Sequence, residues 1–432
     1  MIENTAHPGQ NISTNLRPPS SGFLAPFIRN PLFLFLLFAS YGPSVNIVGQ
    51  LRVTEIVLLF IGVLHIKDMS RSISRNEIFF AAMFVFTALC YVFFDVINQG
   101  ITASTLKRAG SYILLGAEFL VIAWLISKNR SRMFAALLGF CLSFFIVYIF
   151  GISIPNNNFH NVPWLVGMGK AMTIITFIAM VCLPRLRYVF IALIVILIIT
   201  HIMMGSRHLF LLTSSALFLF IFSEIFGSKT PQKFHFRQLG LIVVLLVGII
   251  SLVWVSYLSL SAINIVPQNI ANKMERQMNS PYGLISTARP DVAAAVIGVA
   301  KKPLTGYGSG VVDRDIFRNF NKFYYRGDDN IVSKQMLLID QWESSPSHSH
   351  LFGAWVDAGF LASIAWILVV LFTAKILIQA SFYRTPLTPL TLFASLTMLW
   401  DVIFSPGPNR IEVGLILALL FMALYRMQIT KT

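Results

Sequence analysis

The feature that most constrains this chain is its series of long, uninterrupted apolar segments. There are about twelve of them, most as long as a helix that crosses a bilayer. They lie at residues 31–48, 51–66, 78–97, 108–126, 133–153, 164–183, 186–204, 207–226, 238–260, 351–378, 387–404 and 411–427. Lipid admits only helices or closed barrels as spanning structures, because every backbone polar group must find a partner inside the protein. A barrel would show short alternating segments, so the sequence predicts an all-α polytopic membrane protein.

Composition excludes the main soluble classes. Hydrophobic residues make up 56% of the chain and charged residues only 12%, whereas a soluble domain carries about 25% charged residues. A cytosolic enzyme, a disordered protein and a disulfide-stapled secreted module are therefore excluded. The net charge of +15 is better explained by basic residues that orient a membrane protein than by nucleic acid, and we expect no nucleic-acid partner.

The distribution of basic residues predicts the orientation. Of the 33 Lys and Arg residues, 17 lie in the N-terminal tail and in one alternating set of loops, and five lie in the opposite short loops. Basic residues are enriched on the cytoplasmic side, so both termini are predicted to be cytoplasmic. The chain then divides into a cytoplasmic tail (1–30), helices 1–9 (31–260), a large outer loop (261–350) and helices 10–12 (351–427).

The outer loop has an ordinary soluble composition and is predicted to be partly helical. The stretch from Pro290 to Ala300 places Val292, Val296 and Val299 on one helical face. A glycine-rich turn should follow it, formed by Gly306, Gly308 and Gly310. A loop of this length inside a compact protein is usually functional or disordered; its aromatic residues indicate that it is ordered.

Two cations lie where the bilayer makes them costly. Arg207 opens the eighth apolar segment at its outer end, where free backbone N–H groups and a guanidinium together make an anion site. Lys170 lies inside the sixth segment, and an ionisable group inside a membrane is a functional hypothesis by default. The alternatives are an arginine that reaches the membrane interface and a buried ion pair between Lys170 and Glu118.

The segment 344–350 is the strongest local signal for chemistry. It is rich in serine, and it holds His348 and His350 just before the tenth apolar segment. A neutral histidine near a helix N-terminus can accept a proton. Asp401 or Asp357 could orient such a histidine, although Asp357 could equally be the partner of a neighbouring helix. No metal is expected, because the two histidines do not share a helical face and no carboxylate or cysteine cluster accompanies them.

Three elements in this order resemble the superfamily of bacterial O-antigen ligases and polymerases. The first is Gly205-Ser206-Arg207 at the outer end of a helix. The second is Arg289, followed by a helix and then by the Pro303–Gly310 stretch, which matches the pattern Pro-x-x-Gly-x-Gly. The third is His348-Ser349-His350-Leu351-Phe352, with Gly359 eleven residues after His348. The resemblance covers about 170 residues, and the earlier part of the chain agrees only in topology.

The resemblance implies an enzyme that moves an oligosaccharide from a polyprenyl diphosphate carrier to a sugar hydroxyl. It implies catalysis at the periplasmic face of the bacterial inner membrane, without metal or cofactor. Arg207 and Arg289 would bind the departing diphosphate, and Lys170 would add a point charge. His348 would act as general base and Asp401 would hold its imidazole, with His350 and Asp357 as accessory residues.

The acceptor and the subclass stay open. The implied partners are the lipid-linked oligosaccharide donor, a glycan or lipid A core acceptor, and membrane lipids. The resemblance also leaves room for a chain-length regulator and a flippase as protein partners. We favour a polysaccharide polymerase, with a ligase as the alternative and a lipid-linked glycan transporter as a more distant one. Val292 departs from the family pattern, which often has an aromatic residue at that place.

Overall fold

The computed structural model describes residues 25–42, 44–46, 50–152, 163–228, 268–342, 344–404 and 410–429, with scattered residues between 240 and 255. Within these residues the chain is almost wholly helical. A short antiparallel hairpin, β1 (Ser44–Asn46) and β2 (Gln50–Arg52), is the exception.

Most helices of the first half of the chain overlap the predicted apolar segments. The predicted first span, 31–48, is corrected: its helix ends at Ala39 and the strand β1 begins at Ser44, because Gly42-Pro43 interrupts the helical pattern. The helices of this half are α1 (Ala25–Ile28), α2 (Pro31–Ala39), α3 (Val53–Leu64), α4 (Ile66–Ser72), α5 (Arg75–Asn98), α6 (Ala103–Ile126), α7 (Arg130–Ile149), α8 (Gly169–Cys182), α9 (Arg187–Met203) and α10 (Arg207–Phe226). A π-helical turn, Trp164–Met168, leads into α8, and a 3-10 turn, Pro184–Leu186, leads into α9.

Five helices then lie in the predicted outer loop, and three follow it. The loop helices are α11 (Gln268–Met278), α12 (Gly283–Ala288), α13 (Pro290–Lys301), α14 (Arg314–Tyr324) and α15 (Asp329–Met336), followed by the 3-10 turn Ile339–Gln341. The last three helices are α16 (His350–Phe382), α17 (Thr388–Phe404) and α18 (Arg410–Ile429). The described part of the predicted outer loop is therefore largely helical, whereas its position as a loop between the ninth and tenth spans stays a prediction.

Seven of the described helices are long and apolar enough to cross a membrane. They are Arg75–Asn98, Ala103–Ile126, Arg130–Ile149, Pro184–Met203, Arg207–Phe226, His350–Phe382 and Arg410–Gln428. Three shorter apolar helices, α3, α8 and α17, coincide with further predicted segments. The predicted ninth segment, 238–260, lies mostly outside the described residues. The protein is therefore an all-α, multi-pass membrane protein, and the count of twelve stays a prediction.

The helices pack around one large apolar core. Helix α5 packs between α6 and α16, α6 also packs on α18, and α17 packs between α10 and α16. The largest fully buried side chains are aromatic or leucine, and they include Trp124, Trp366, Tyr91, Phe84 and Phe119. Aromatic side chains bury much apolar area per residue, and the many phenylalanines of this chain therefore contribute much of the buried core.

A second, smaller apolar cluster joins the loop helices to α16. It contains Ala295 and Val299 of α13, together with Tyr307, Ile316 and Val356. The predicted face of α13 is wrong in one position, because Val296 is 44% exposed whereas Val292 and Val299 are buried. Ala295 takes the place of Val296 on the buried face, since successive spacings of three and four residues keep Val292, Ala295 and Val299 on one side of the helix.

The glycine-rich turn docks on a break in α16. The helix loses its regular geometry at Ala358 and Gly359, and Gly359 has φ +71° and ψ −176°. The turn supplies the missing hydrogen bonds: Tyr307 N donates to Val356 O (2.7 Å) and Gly308 N donates to Asp357 O (2.8 Å). The Pro303–Gly310 stretch and the region around Gly359, both of which carry the resemblance described above, are therefore in direct contact. The predicted uninterrupted tenth span is corrected to a helix that breaks where the loop binds.

We expect Gly359→Ala to destabilise the protein strongly. The added Cβ would lie 1.9 Å from Leu304 O, in a backbone conformation that is essentially restricted to glycine. The free energy of unfolding in detergent should fall by at least about 2 kcal/mol. The matched control is Gly110→Ala in α6, where a Cβ meets nothing within 4 Å and stability should stay unchanged or rise slightly. Equal melting temperatures for the two variants would contradict this account of the break.

Candidate active site

The predicted site residues gather at the end of the helix bundle that carries the outer loop, which we call the loop end. Here α5 ends, and Asn98 Nδ2 donates to Thr305 O at 3.2 Å. Helix α16 begins here, and Ser349 Oγ donates to Val402 O at 3.0 Å, near the C-terminus of α17. Residues that lie hundreds of positions apart in the sequence are therefore neighbours at this end.

Arg207 and the segment that leads to Arg289 are linked by hydrogen bonds. Arg207 Nη1 donates to Gln277 Oε1 at 2.8 Å, and Gln277 Nε2 in turn donates to Thr287 O at 3.2 Å. The loop segment that leads to Arg289 is thereby attached to the start of α10. The guanidinium of Arg289 lies 5.4 Å from the centre of the Trp400 ring, a distance at which a cation and an aromatic face attract each other.

Arg289 is a largely buried cation. Burial lowers the pKa of its guanidinium below the ordinary value, Asp291 raises that pKa, and the neighbouring charge of Arg207 lowers it. Arginine nevertheless stays protonated throughout the physiological range. Among the described residues, Arg289 forms no ion pair with a carboxylate, so its planar donor face can bind an anion.

Lys170 lies in a buried ion triad. Its Nζ is 2.9 Å from Asp401 Oδ2 and 2.6 Å from Glu412 Oε1. Both distances are those of charge-assisted hydrogen bonds. The predicted alternative for Lys170 was a pair with Glu118, and the contact is corrected to Asp401 and Glu412.

The prediction that Asp401 holds the imidazole of His348 is therefore wrong, because the Asp401 carboxylate binds Lys170. The carboxylate that faces the histidine belongs to Asp291, whose Oδ2 lies 3.7 Å from His348 Nδ1. Asp291 is buried in the first turn of α13, two residues after Arg289. The sequence could have indicated Asp291 through this spacing, since a carboxylate two residues from Arg289 must lie near the same site as that arginine.

His348 and His350 lie in different environments. The side chain of His348 is 52% exposed, and its backbone has a positive φ of 27°. His350 is 7% exposed, and its ring stacks on Trp366 at a centroid distance of 4.4 Å. The two histidines therefore differ in exposure and in contacts, and His348 is the more exposed of the two, although both line the cavity at this end.

A cavity of about 220 Å³ opens beside His348. Its wall is formed by the 344–350 segment, by α6, by α16 and by Arg410 at the start of α18. Arg410 was expected only as a loop charge. It donates to both carboxylate oxygens of Glu55, at 3.1 and 2.9 Å, and lies 3.9 Å from Glu118.

Asp357 is a structural partner of neighbouring helices. Its Oδ2 lies 3.6 Å from Arg108 Nε and accepts a hydrogen bond from Tyr91 at 3.3 Å. The predicted accessory role of Asp357 in orienting a histidine is therefore wrong, and the alternative, that Asp357 is the partner of a neighbouring helix, is correct. The residues described hold no group of three or more His, Cys, Asp or Glu that could bind a metal.

Comparison of the chain with protein-family profiles, with characterised proteins and with solved structures found no match. The class that the fold defines is a multi-pass helical membrane protein, in which the helical segment 268–342 docks on one end of the described bundle. The chemistry has to be argued from the site itself.

We expect Lys170→Met to destabilise the protein by roughly 3–5 kcal/mol, because it leaves two buried carboxylates without their cation. The combined variant Lys170→Met/Glu412→Gln should recover part of the loss, since it removes one of the two uncompensated charges. Unfolding of the purified variants in detergent measures both effects. A single variant as stable as the wild-type protein would mean that Lys170 serves a ligand rather than the fold.

Proposed function

We propose that this protein is a membrane glycan transferase. It would move an oligosaccharide from a polyprenyl diphosphate carrier to an acceptor sugar hydroxyl. The observation that carries the proposal is the arrangement at the loop end. Arg207 is linked through Gln277 to Thr287, two residues before Arg289, and Asp291, two residues after Arg289, faces His348 at 3.7 Å. Cations for a leaving group and a candidate base thus lie in one site.

The two arginines suit the donor half of the reaction. As the bond between the sugar carbon and the diphosphate oxygen breaks, the diphosphate keeps the electron pair and gains negative charge. Guanidinium groups bind such oxygens in a bidentate manner, and fixed cations stabilise the developing charge without reorganisation. Lys170 contributes to this site through Asp401 and Glu412, which it neutralises.

His348 suits the acceptor half. The acceptor oxygen attacks the sugar carbon, and its proton passes to a base. Asp291 faces Nδ1, and we assign the N–H to this nitrogen, so that Nε2 is the atom that receives the acceptor proton. An apo site often has long catalytic contacts that tighten when substrate binds, which accommodates the 3.7 Å separation.

We favour a polysaccharide polymerase, which would make O-antigen or exopolysaccharide by using a second lipid-linked repeat as acceptor. The alternative is an O-antigen ligase, whose acceptor is the lipid A core. Analysis of surface glycans in a deletion strain separates them. Lipid-linked polymer that never reaches the lipid A core indicates a ligase, and single repeats on the core or no secreted polymer indicate a polymerase. Normal polymer on the wrong side of the membrane would indicate a transporter.

The proposed location is the bacterial inner membrane, with both termini in the cytoplasm and the loop end in the periplasm. A reporter that is active only outside the inner membrane should work when it is fused near Asn330. The same reporter should fail when it is fused near Lys233 or after Lys431, because the positive loops stay inside. Activity at Lys233 would overturn this orientation.

A further inference from the structure

The binding of the donor diphosphate by the arginines leaves the cavity beside His348 without an assigned ligand. Its volume of about 220 Å³ is below the roughly 300–1,000 Å³ of sites for drug-sized ligands. A cavity of this size holds one ring rather than an oligosaccharide. His348 lines it and also faces Asp291, which lies two residues after Arg289, so the imidazole is next to both the cavity and the start of the helix that follows Arg289.

The wall combines aromatic surface with unused hydroxyl groups. Tyr112 and Trp366 meet in the wall, where Trp366 Nε1 donates to the Tyr112 hydroxyl at 3.2 Å, and Trp342 is 38% exposed. The hydroxyls of Ser344 and Ser347 make no hydrogen bond to any other residue that the structure describes. A sugar ring needs such a mixture, because it has apolar C–H faces and hydroxyl groups around its edge.

The two cations in the wall, Arg108 and Arg410, contact carboxylates of residues that do not line the cavity. Arg108 lies 3.6 Å from Asp357, and Arg410 is bound by Glu55 and lies 3.9 Å from Glu118. These ion pairs compensate the charge of both cations, so the cavity suits an uncharged ligand better than an anion. The cavity thus differs from the surroundings of Arg289, which pairs with no carboxylate among the residues described.

We propose that this cavity binds the acceptor, in the form of one uncharged sugar ring whose reactive hydroxyl faces His348. This inference rests on the proposed function, since it assigns the second substrate of the same site. The acceptor proton passes to His348 Nε2 while the acceptor oxygen bonds to the donor sugar carbon. The polyprenyl diphosphate leaves on the Arg289 side with the electron pair of the broken bond.

Protection of a cysteine in the cavity tests the proposal. Ser347→Cys is introduced into the full-length protein with Cys182→Ser, because Cys182 is the exposed cysteine among the described residues. The purified protein in lipid nanodiscs is labelled with methyl methanethiosulfonate. The probes are neutral methyl glycosides of glucose, galactose, mannose, rhamnose and N-acetylglucosamine. At about ten times its Kd, a bound glycoside should slow labelling about tenfold.

Two controls make the result specific. Ser333→Cys lies exposed on α15, outside the cavity, and should label at the same rate with and without glycoside. The two Gly353 variants carry Ser344→Cys as reporter, because a Cβ at Gly353 would lie 3.1 Å from Ser347 Oγ and would press on a thiol there. Gly353→Leu should abolish the protection by filling the cavity, and Gly353→Ala should preserve it, because its Cβ meets only the Ser347 side chain. Ser344→Cys serves as the reporter if Ser347→Cys does not fold.

The proposal is overturned if no neutral glycoside protects at millimolar concentrations. It is overturned equally if inorganic pyrophosphate or a methyl glucuronide protects while the neutral glycosides do not, since the cavity is then an anion site. These outcomes are separate from failure of the proposed function, which the glycan analysis of the deletion strain reports. If the protein is a transferase that binds its acceptor elsewhere, the deletion strain would show the glycan defect, but no glycoside would protect the cysteine in the cavity.

Discussion

Cells that carry His348→Ala in place of the native protein should make no detectable polymer or ligated product. The imidazole is the exposed base candidate at the loop end, and removal of a general base costs about 10² to 10⁴ in rate. Donor binding should persist, because Arg207 and Arg289 are untouched. The measurement is the surface glycan profile, with immunoblots to show that the variant accumulates to the wild-type level.

The structure supplies the control for this experiment. His350 also lines the proposed acceptor cavity, but its ring is buried against Trp366, so His350→Phe keeps the shape of this wall and should retain most of the activity. Asp291→Asn should fall between the two, since it leaves the imidazole in place but weakens its orientation. If His350→Phe were inactive and His348→Ala active, the assignment of the base would be wrong by two residues. If both were active, the 344–350 segment would not carry the chemistry.

Replacement of Arg289 by lysine should lower transfer about 10² to 10³-fold, the effect of losing one preorganised donor to a developing anion. Lysine keeps the charge but loses the planar fork that binds two oxygens at once. The protein should still accumulate, because Arg289 forms no ion pair among the described residues whose loss would leave a buried carboxylate. Arg207→Lys should impair transfer in the same direction.

The matched control for the arginine variants is Lys301→Arg. Lys301 lies on the same helix as Asp291 but pairs with Asp315 in an exposed position, where an ion pair contributes little. It should therefore leave transfer unchanged. Wild-type transfer by Arg289→Lys would show that bidentate binding at this position is wrong and would leave only a general electrostatic role for the charge.

The elements of the fold that are determined by residues adjacent in the sequence were predictable. Apolar length alone locates α5, α6, α7, α9, α10, α16 and α18, because a bilayer sets one length for every spanning helix. Helix α13 and the turn at Gly306 are likewise local, and they occur where the pattern places them. The break at Gly359 was not predictable, since helix periodicity carries no signal that a distant loop will replace two of its hydrogen bonds.

Apolar length and composition establish that this is a helical membrane protein, with candidate cations and histidines near one end of the bundle. The packing of the helices sets which charges meet. Lys170 and Glu412 are 242 positions apart, and nothing local distinguishes Glu412 from Glu118 as the partner of a buried lysine. The sequence likewise offered Asp401 or Asp357 as the partner of His348, whereas Asp291 faces it. The physical reason is that an ion pair is decided by the distance between two side chains in the packed bundle, whereas a spanning helix is decided by residues that are adjacent in the chain.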